Sequence, residues 1–309
     1  MSLLQRKRTI LAKIETTYGT DPTPTGAANA ILIRNLNITP QETDLVSRDL
    51  VRPYFGNFQQ LPAAIHASVD FEVEIAGSGA AGTAPAYGPL LRACALSETI
   101  SAGVSVVYAP VSAAMESVTI YFNVDGVLHK MTGARGTVAI DLTVKALPVY
   151  KFKFTGLYGA VADAAAPTPT YTAFQLPLPV NNANTSAFSL HGYAGVLSQF
   201  SLDMAATPVF RSLVGGEAVL ITDRKPAGQV TIEAVPVGTK DFWTIAQNGT
   251  SGALSITHGT VAGNKVTIAA PAVQLTKPMY QDMDGVAMLQ MGLIVNPSSG
   301  NDEFSITVL

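Results

Sequence analysis

Three carboxylates, Asp70, Glu72 and Glu74, stand two residues apart within Ala67–Ile75. Paired carboxylates are what a glycosidase needs as acid and nucleophile or base. Residues two apart share one face of a strand, and these three alternate with Val69, Phe71, Val73 and Ile75. The simpler reading is a strand with one core face and one solvated acidic face. Gly77-Ser78-Gly79-Ala80-Ala81-Gly82 fits the dinucleotide pattern G-x-G-x-x-G, whose third glycine must lie in a helix that points at the pyrophosphate. The Thr83-Ala84-Pro85-Ala86-Tyr87-Gly88-Pro89 that follows cannot continue a helix, so a flexible loop is expected instead. His66, His129, His191 and His258 lie in separate segments without the i, i+4 spacing of a helical metal pair. There is no G-x-S-x-G elbow for a nucleophilic serine. Cys94, the single cysteine, excludes a disulfide within the chain and a cysteine-based zinc site. Its neighbours Leu90, Leu91, Ala93 and Leu96 point to inert packing, and Trp243 most simply fills a core. The chemistry-bearing residues therefore predict no enzyme, cofactor or metal site.

The segments that position these residues show period-two alternation. Val118, Ile120, Phe122 and Val124 alternate with polar or small residues, as do Val138, Ile140, Leu142 and Val144. Tyr150, Phe152 and Phe154 flank Lys151 and Lys153. One apolar and one wet face per strand indicates antiparallel sheets rather than a parallel α/β core. Two short helices are expected, at Pro89–Leu96 and Lys240–Gln247. Val161–Thr170, with Asp163, alanines and two prolines, has linker composition.

On either side of that linker the order of elements repeats. The first half reads strand (Ile31–Arg34), long polar loop, strand (Ala67–Ile75), helix, then strands at Ser117–Val124, Gly136–Val144 and Val149–Thr155. The second reads strand (Ala187–His191), long loop, strand (Gly228–Val235), helix, then strands around Ala253–Thr257, Lys265–Ala269, Val286–Leu293 and Glu303–Val308. Val69–Val73 aligns on Val230–Ala234. We read this as an internal duplication: residues 1–160 as an N-terminal arm with a first domain, 161–170 as a linker and 171–309 as a second domain.

Composition points to an assembly. Of 309 residues, 48% are hydrophobic and only 13% charged, against a usual charged share of about 25%. A subunit covered by neighbours does not need the charged surface of a free monomer. The net charge of −3 provides no basic field for DNA binding. Arg6, Lys7 and Arg8 precede Ile10-Leu11-Ala12, but Lys13 and Glu15 break that apolar run, so no secretion signal is expected. No apolar stretch reaches the length of a spanning helix. With aromatics at 7%, the girdles of a membrane barrel are not expected either.

Two stretches carry a family resemblance. Ile14-Glu15-Thr16-Thr17-Tyr18-Gly19-Thr20-Asp21-Pro22, running into Ala30–Leu36 and Arg48-Asp49-Leu50-Val51-Arg52-Pro53-Tyr54-Phe55-Gly56, resembles tail tube proteins of temperate long-tailed phages. So does His129-Lys130-Met131-Thr132-Gly133-Ala134-Arg135-Gly136-Thr137, leading through Pro148–Phe152 to Phe154-Thr155-Gly156-Leu157. The likeness is strongest over residues 1–160; in the second half it rests on Asp284–Met288 and Gly300-Asn301-Asp302.

The resemblance implies a mainly β chain of two tandem tail-tube-type β-sandwich domains, each with one short flanking helix. Each domain would contribute strands to a ring-shaped inner barrel. It further implies a structural virion protein of non-contractile, siphovirus-type tails, assembled in the host cytoplasm. Rings would stack into the tube through which phage DNA is ejected, with three two-domain copies replacing six single-domain ones. The expected partners are the chain itself, the tape measure protein, and the tail terminator and distal tail proteins, without membrane insertion. A capsid decoration or baseplate component is the alternative. Arg48, Asp49, Arg52, Tyr54 and Phe55, in the long loop between Asn35 and Leu61, are expected at contacts between rings, with the arm before Thr20. Asp70, Glu72, Glu74 and Glu233 are expected to face the lumen, although Lys151 and Lys153 on an adjacent strand would partly neutralise them; the tube exterior is the alternative for either set.

Overall fold

The structure is a computed structural model and describes residues 2–309. It is mainly β and antiparallel. The first half runs β1 (Arg8–Ile14), α1 (Gly26–Asn29), β2 (Ala30–Ile31), β3 (Arg34–Ser47), β4 (Gln60–Glu74), α2 (Gly88–Ala93), β5 (Thr99–Ser101), β6 (Ser105–Tyr108), β7 (Val118–Val124), β8 (Val127–Thr143) and β9 (Val149–Asp163). There follow β10 (Thr185–Leu190), β11 (Leu197–Asp203), β12 (Ala206–Leu213), β13 (Gly216–Arg224), β14 (Ala227–Glu233), α3 (Phe242–Gln247), β15 (Ser251–His258), β16 (Val266–Met283), β17 (Val286–Asn296) and β18 (Ser305–Val308).

Sixteen strands form one hydrogen-bonded sheet, and β12 and β13 form a separate hairpin. The alternation read from sequence decides which face is buried. Val69, Phe71 and Val73 on β4 meet Phe152 and Phe154 on β9, and the three phenyl rings lie 5.7–6.0 Å apart. A one-residue slip would bury the intervening carboxylates, so the apolar set fixes the register. The apolar faces of the whole sheet converge on one core that draws on both halves of the chain.

The same pairing order occurs twice. In the first half β1 pairs with β7, β7 with β8, β8 with β9, β9 with β4 and β4 with β3. In the second, β10 pairs with β15, β15 with β16, β16 with β17, β17 with β14 and β14 with β11. One short helix follows β4 and one follows β14. Val69 pairs with Phe154 and Val230 with Met291, so the sequence match of Val69 to Val230 extends to their partners. β18 takes up β16 at Val266–Ala269, where β17 has ended, and thus continues the line of β17.

Four expectations need correction. Residues of the expected N-terminal arm form β1, whose Ile10, Leu11 and Ala12 are buried beside β7. The loop expected between Asn35 and Leu61 is largely β3 and β4, leaving only 48–59 as loop. Bulges at Arg34/Asn37 and Thr39/Glu42 break the period of two and hid the strand. The long loop of the second half is likewise β11, β12 and β13. The glycine-rich loop is closely packed: a Cβ at Gly77 would lie 2.0 Å from the Gly263 carbonyl oxygen, and Gly79 donates its N–H to that oxygen at 2.8 Å. These glycines allow two backbones to touch. β9 runs to Asp163, and neither helix nor strand occurs from there to Thr185.

Candidate functional site: a polar sheet face with two open edges

The strand order β3-β4-β9-β8-β11-β14-β17-β16 is an unbroken run of eight antiparallel strands. The two halves join inside it, where β11 adds to the end of β8 beyond the reach of β7: Gln199 pairs with Thr143, Ser201 with Asp141 and Asp203 with Ala139. The face of this run opposite the core is polar. On it the carboxylates of Glu42, Asp70, Glu72, Glu74, Asp141, Asp203 and Glu233 outnumber the cations of Arg34, Lys151 and Lys153.

All four acidic residues singled out from the sequence lie on this face. Asp70, Glu72 and Glu74 are half-buried on β4, and Glu233 is exposed on β14. The register sets Lys153 opposite Asp70 and Lys151 opposite Glu72. Lys151 reaches Asp141 on β8 at 2.7 Å, and the Arg34 Nε lies 3.2 Å from Glu72. The face is therefore mixed in sign with an acidic excess. Partly exposed pairs of this kind add little stability.

Arg48, Asp49, Tyr54 and Phe55 are exposed in the loop at the tip of the β3–β4 hairpin. Arg52 is turned inward: its guanidinium lies 4.1 Å from the Phe58 ring centre and 4.8 Å from that of Tyr54, and it donates to the Asn57 carbonyl at 3.0 Å and to that of Gly56. One cation thus shapes the loop. Leu45, Val46, Leu50, Val51 and Leu61 add to an exposed apolar tip, the kind of patch that marks an interaction surface.

Both ends of the run are open. β3 pairs only with β4. The ladder between β15 and β16 stops at Gln274, and from Leu275 to Met283 β16 has β17 on one side and no strand on the other. Met279, Tyr280, Met283 and Val286 are exposed there.

Sequence reasoning missed how the β12–β13 hairpin seats on the first half. Val219 accepts from Arg135 Nη1 at 2.8 Å and donates to the Tyr18 hydroxyl at 2.6 Å, and Phe210 stacks on His66 at 4.8 Å. The buried Glu15 accepts from Gly19 N–H, Gly133 N–H, Ser117 Oγ and Thr119 Oγ1, all within 2.7 Å. A Cβ at Gly133 would strike the Tyr18 ring. The motif residues Glu15, Tyr18, Gly133 and Arg135 thus form one anchor tying β1, the bulge of β8 and the hairpin together, and their spacing in sequence gave no sign of it.

Burial pushes the Cys94 thiol well above its ordinary range, and the residue packs inertly. Among the described residues no cluster of His, Cys, Asp or Glu is arranged to hold a metal ion, and no helix is long and apolar enough to cross a membrane. No curated protein matches the chain significantly. The family model described as phage tail tube protein matches residues 5–287. The chain belongs to the phage tail tube family and is a structural component of a phage tail.

Proposed function

We propose that three copies of this chain close into a ring, and that rings stack into the tube of a non-contractile, siphovirus-type tail through which phage DNA is ejected. The eight-stranded run with a polar face and an open edge at each end carries this reading. Three copies of eight strands supply 24. With strands about 4.8 Å apart and tilted by about 40°, such a barrel is roughly 48 Å across between backbones, a channel rather than a packed core. Closure removes both open edges of the run, which otherwise invite uncontrolled association. The recurrent pairing order supports two tube-type domains per chain, 1–160 and 171–309, and hence pseudo-sixfold symmetry from a trimer.

In this arrangement the polar face lines the lumen, with Asp70, Glu72, Glu74 and Glu233 on the wall. Phosphates are repelled by the acidic excess, over about 8–10 Å at physiological salt. Lys151 and Lys153 moderate the field. The tip loop with Arg48, Asp49, Tyr54 and Phe55 makes the contacts between rings. The tube is assembled in the host cytoplasm around the tape measure protein and capped by the tail terminator and distal tail proteins. The role is structural, without catalysis.

Negative-stain microscopy of concentrated protein and native mass spectrometry test the proposal. Hollow tubes and a trimeric ring are expected. Rings of six copies, or a shell-bound or baseplate-like particle without filaments, would overturn it. Deleting Asp44–Arg52 is expected to leave a folded, soluble subunit that forms no tubes.

A further inference from the structure

The junction inside the chain is a template for the junction between chains. We infer that β3 of one subunit adds, antiparallel, to the open edge of β16 in the next, in the register that β11 already uses on β8. This inference rests on the ring reading above and names the residues of its seam.

The pairings themselves make the argument. β11 occupies in the second half the place that β3 occupies in the first: Phe200 pairs with Val230 as Ile38 pairs with Val69. β16 occupies the place of β8: Tyr280 pairs with Leu289 as Val138 pairs with Phe152. β11 is satisfied because it lies on β8, whereas β3 and the distal part of β16 have no such partner. Transferring the junction register sets Thr39 opposite Met283, as Ser201 is opposite Asp141. It sets Glu42 opposite Gln281, as Asp203 is opposite Ala139. All four of these seam residues are exposed.

Two independent features agree. Eight alternating strands end with β3 and β16 running in opposite directions, so a head-to-tail join is antiparallel, with the Thr39/Glu42 bulge of β3 adding one residue that β11 lacks between Ser201 and Asp203. The β12–β13 hairpin beyond β11 lies over β8 and β9. The corresponding extension of β3 and β4 carries the exposed Leu45, Val46 and Leu61, and the corresponding strands β16 and β17 carry the exposed Met279, Tyr280 and Val286. Each apolar set supplies the cover the other lacks. The occupant of both edges is therefore a second copy of this chain.

Cysteine pairs read the seam directly. E42C/Q281C is expected to give dimers and closed trimers on oxidation of assembled protein. D203C/A139C, the same pair inside the chain, is expected to give only a monomer of altered mobility. A disulfide needs Cα atoms within about 7 Å, and the internal pair controls for local geometry. The buried Cys94 does not compete. In wild-type protein, amide exchange over Leu36–Glu42 and Gln281–Met283 is expected to slow by about tenfold or more on tube formation. Tubes that form without crosslinking of E42C/Q281C, where the internal control crosslinks, would overturn the seam and leave the tube reading standing, as would unchanged exchange in these segments. Wild-type protein that forms no rings at all would remove both. If the double-cysteine protein does not fold, the exchange measurement decides alone.

Discussion

In the first half of the chain Val138, Ile140 and Tyr150 are enclosed in the core. The pairing of strands makes Tyr280, Asp282 and Ala287 their counterparts in the second half, and all three are exposed. One cause lies in the cover. Tyr87, beside α2, packs on Tyr150 with ring centres 5.2 Å apart, while α3 offers Trp243 against Tyr280 at 5.3 Å and leaves that ring largely in solvent. The other lies on the sheet, where β11 pairs with the edge of β8 and no strand pairs with that of β16 beyond Gln274. The same order of strands has one junction filled by its own chain and one left vacant, so the surface available for assembly is the part of the pattern that the chain does not complete.

The sharpest way to break this comparison is to truncate equivalent residues at the two junctions. Phe200 is fully buried at the internal one, and its counterpart Ile38 is half-buried at the open edge. Phe200→Ala is expected to lower the stability of the unassembled subunit by about 3–5 kcal/mol, the range for a buried aromatic. Ile38→Ala should lower it by less than about 1.5 kcal/mol but impair tube formation. Urea unfolding of the two variants at low protein concentration measures the difference. Equal losses would mean that the two edges are not in different states.

Two glycines with similar backbones give the next contrast. Gly263 has φ +86°, and a Cβ there would lie 2.6 Å from the backbone of Gly79. Gly285 has φ +82° in the β16–β17 turn, with nothing within 4 Å of a Cβ. Gly285→Ala carries only the left-handed conformational strain, about 1–2 kcal/mol. Gly263→Ala adds displacement of packed backbone and is expected to cost about 2–4 kcal/mol. Thermal melts of the two variants test this, and a Gly263→Ala no worse than Gly285→Ala would show that the two loops do not depend on close contact.

How much of this was legible in the sequence follows the same physics. β4, β7, β9 and β14 announced themselves because four or so apolar residues alternate without interruption. β3 did not, since its bulges shift the parity twice within nine residues. β1 was masked by Lys13 and Glu15, and Glu15 turned out to be a buried acceptor for four donors. The acidic set on β4 was readable as a face, and Lys151 and Lys153 as its partial neutralisers; the register that sets Lys153 opposite Asp70 and Lys151 opposite Glu72 was not. The open edges were not readable, because pairing across distant segments is a property of topology rather than of local pattern.

The helices α2 and α3 differ at their starts. α3 begins at Asp241, whose carboxylate accepts from the Thr244 N–H at 2.9 Å. α2 has no side-chain cap and relies on Pro89 in its first turn. Asp241→Ala is expected to lower the melting temperature by removing this cap. Tyr87→Ala would act instead through its packing against Tyr150 and its hydroxyl bond to the Ala76 carbonyl. A calorimetric scan in which D241A leaves the melting temperature unchanged would mean that tertiary packing alone holds α3.

The smallest effect at neutral pH, and one that grows on acidification, concerns the buried His258 and the half-buried His191 and His129. His258 accepts or donates between Thr185 Oγ1 at 3.1 Å and the Leu178 carbonyl at 3.0 Å. Burial lowers its pKa from the ordinary 6.5, against the opposing pull of the Leu178 carbonyl. Burial likewise lowers the pKa of His191 and of His129, which stacks on Phe122 at 4.8 Å. A depressed folded-state pKa means that the unfolded chain binds protons first as pH falls. The stability contributed by the neutral rings is thus fully present above 6.5 and is lost as pH drops through that value toward the folded-state pKa. The urea midpoint of the unassembled subunit is expected to fall between pH 7.5 and pH 5. His258→Gln lacks this titration, so the margin by which wild type exceeds it should narrow over the same interval. A margin that stays constant from pH 7.5 to pH 5 would show that His258 is not held neutral by the fold, and would shift the acid sensitivity to His191 and His129.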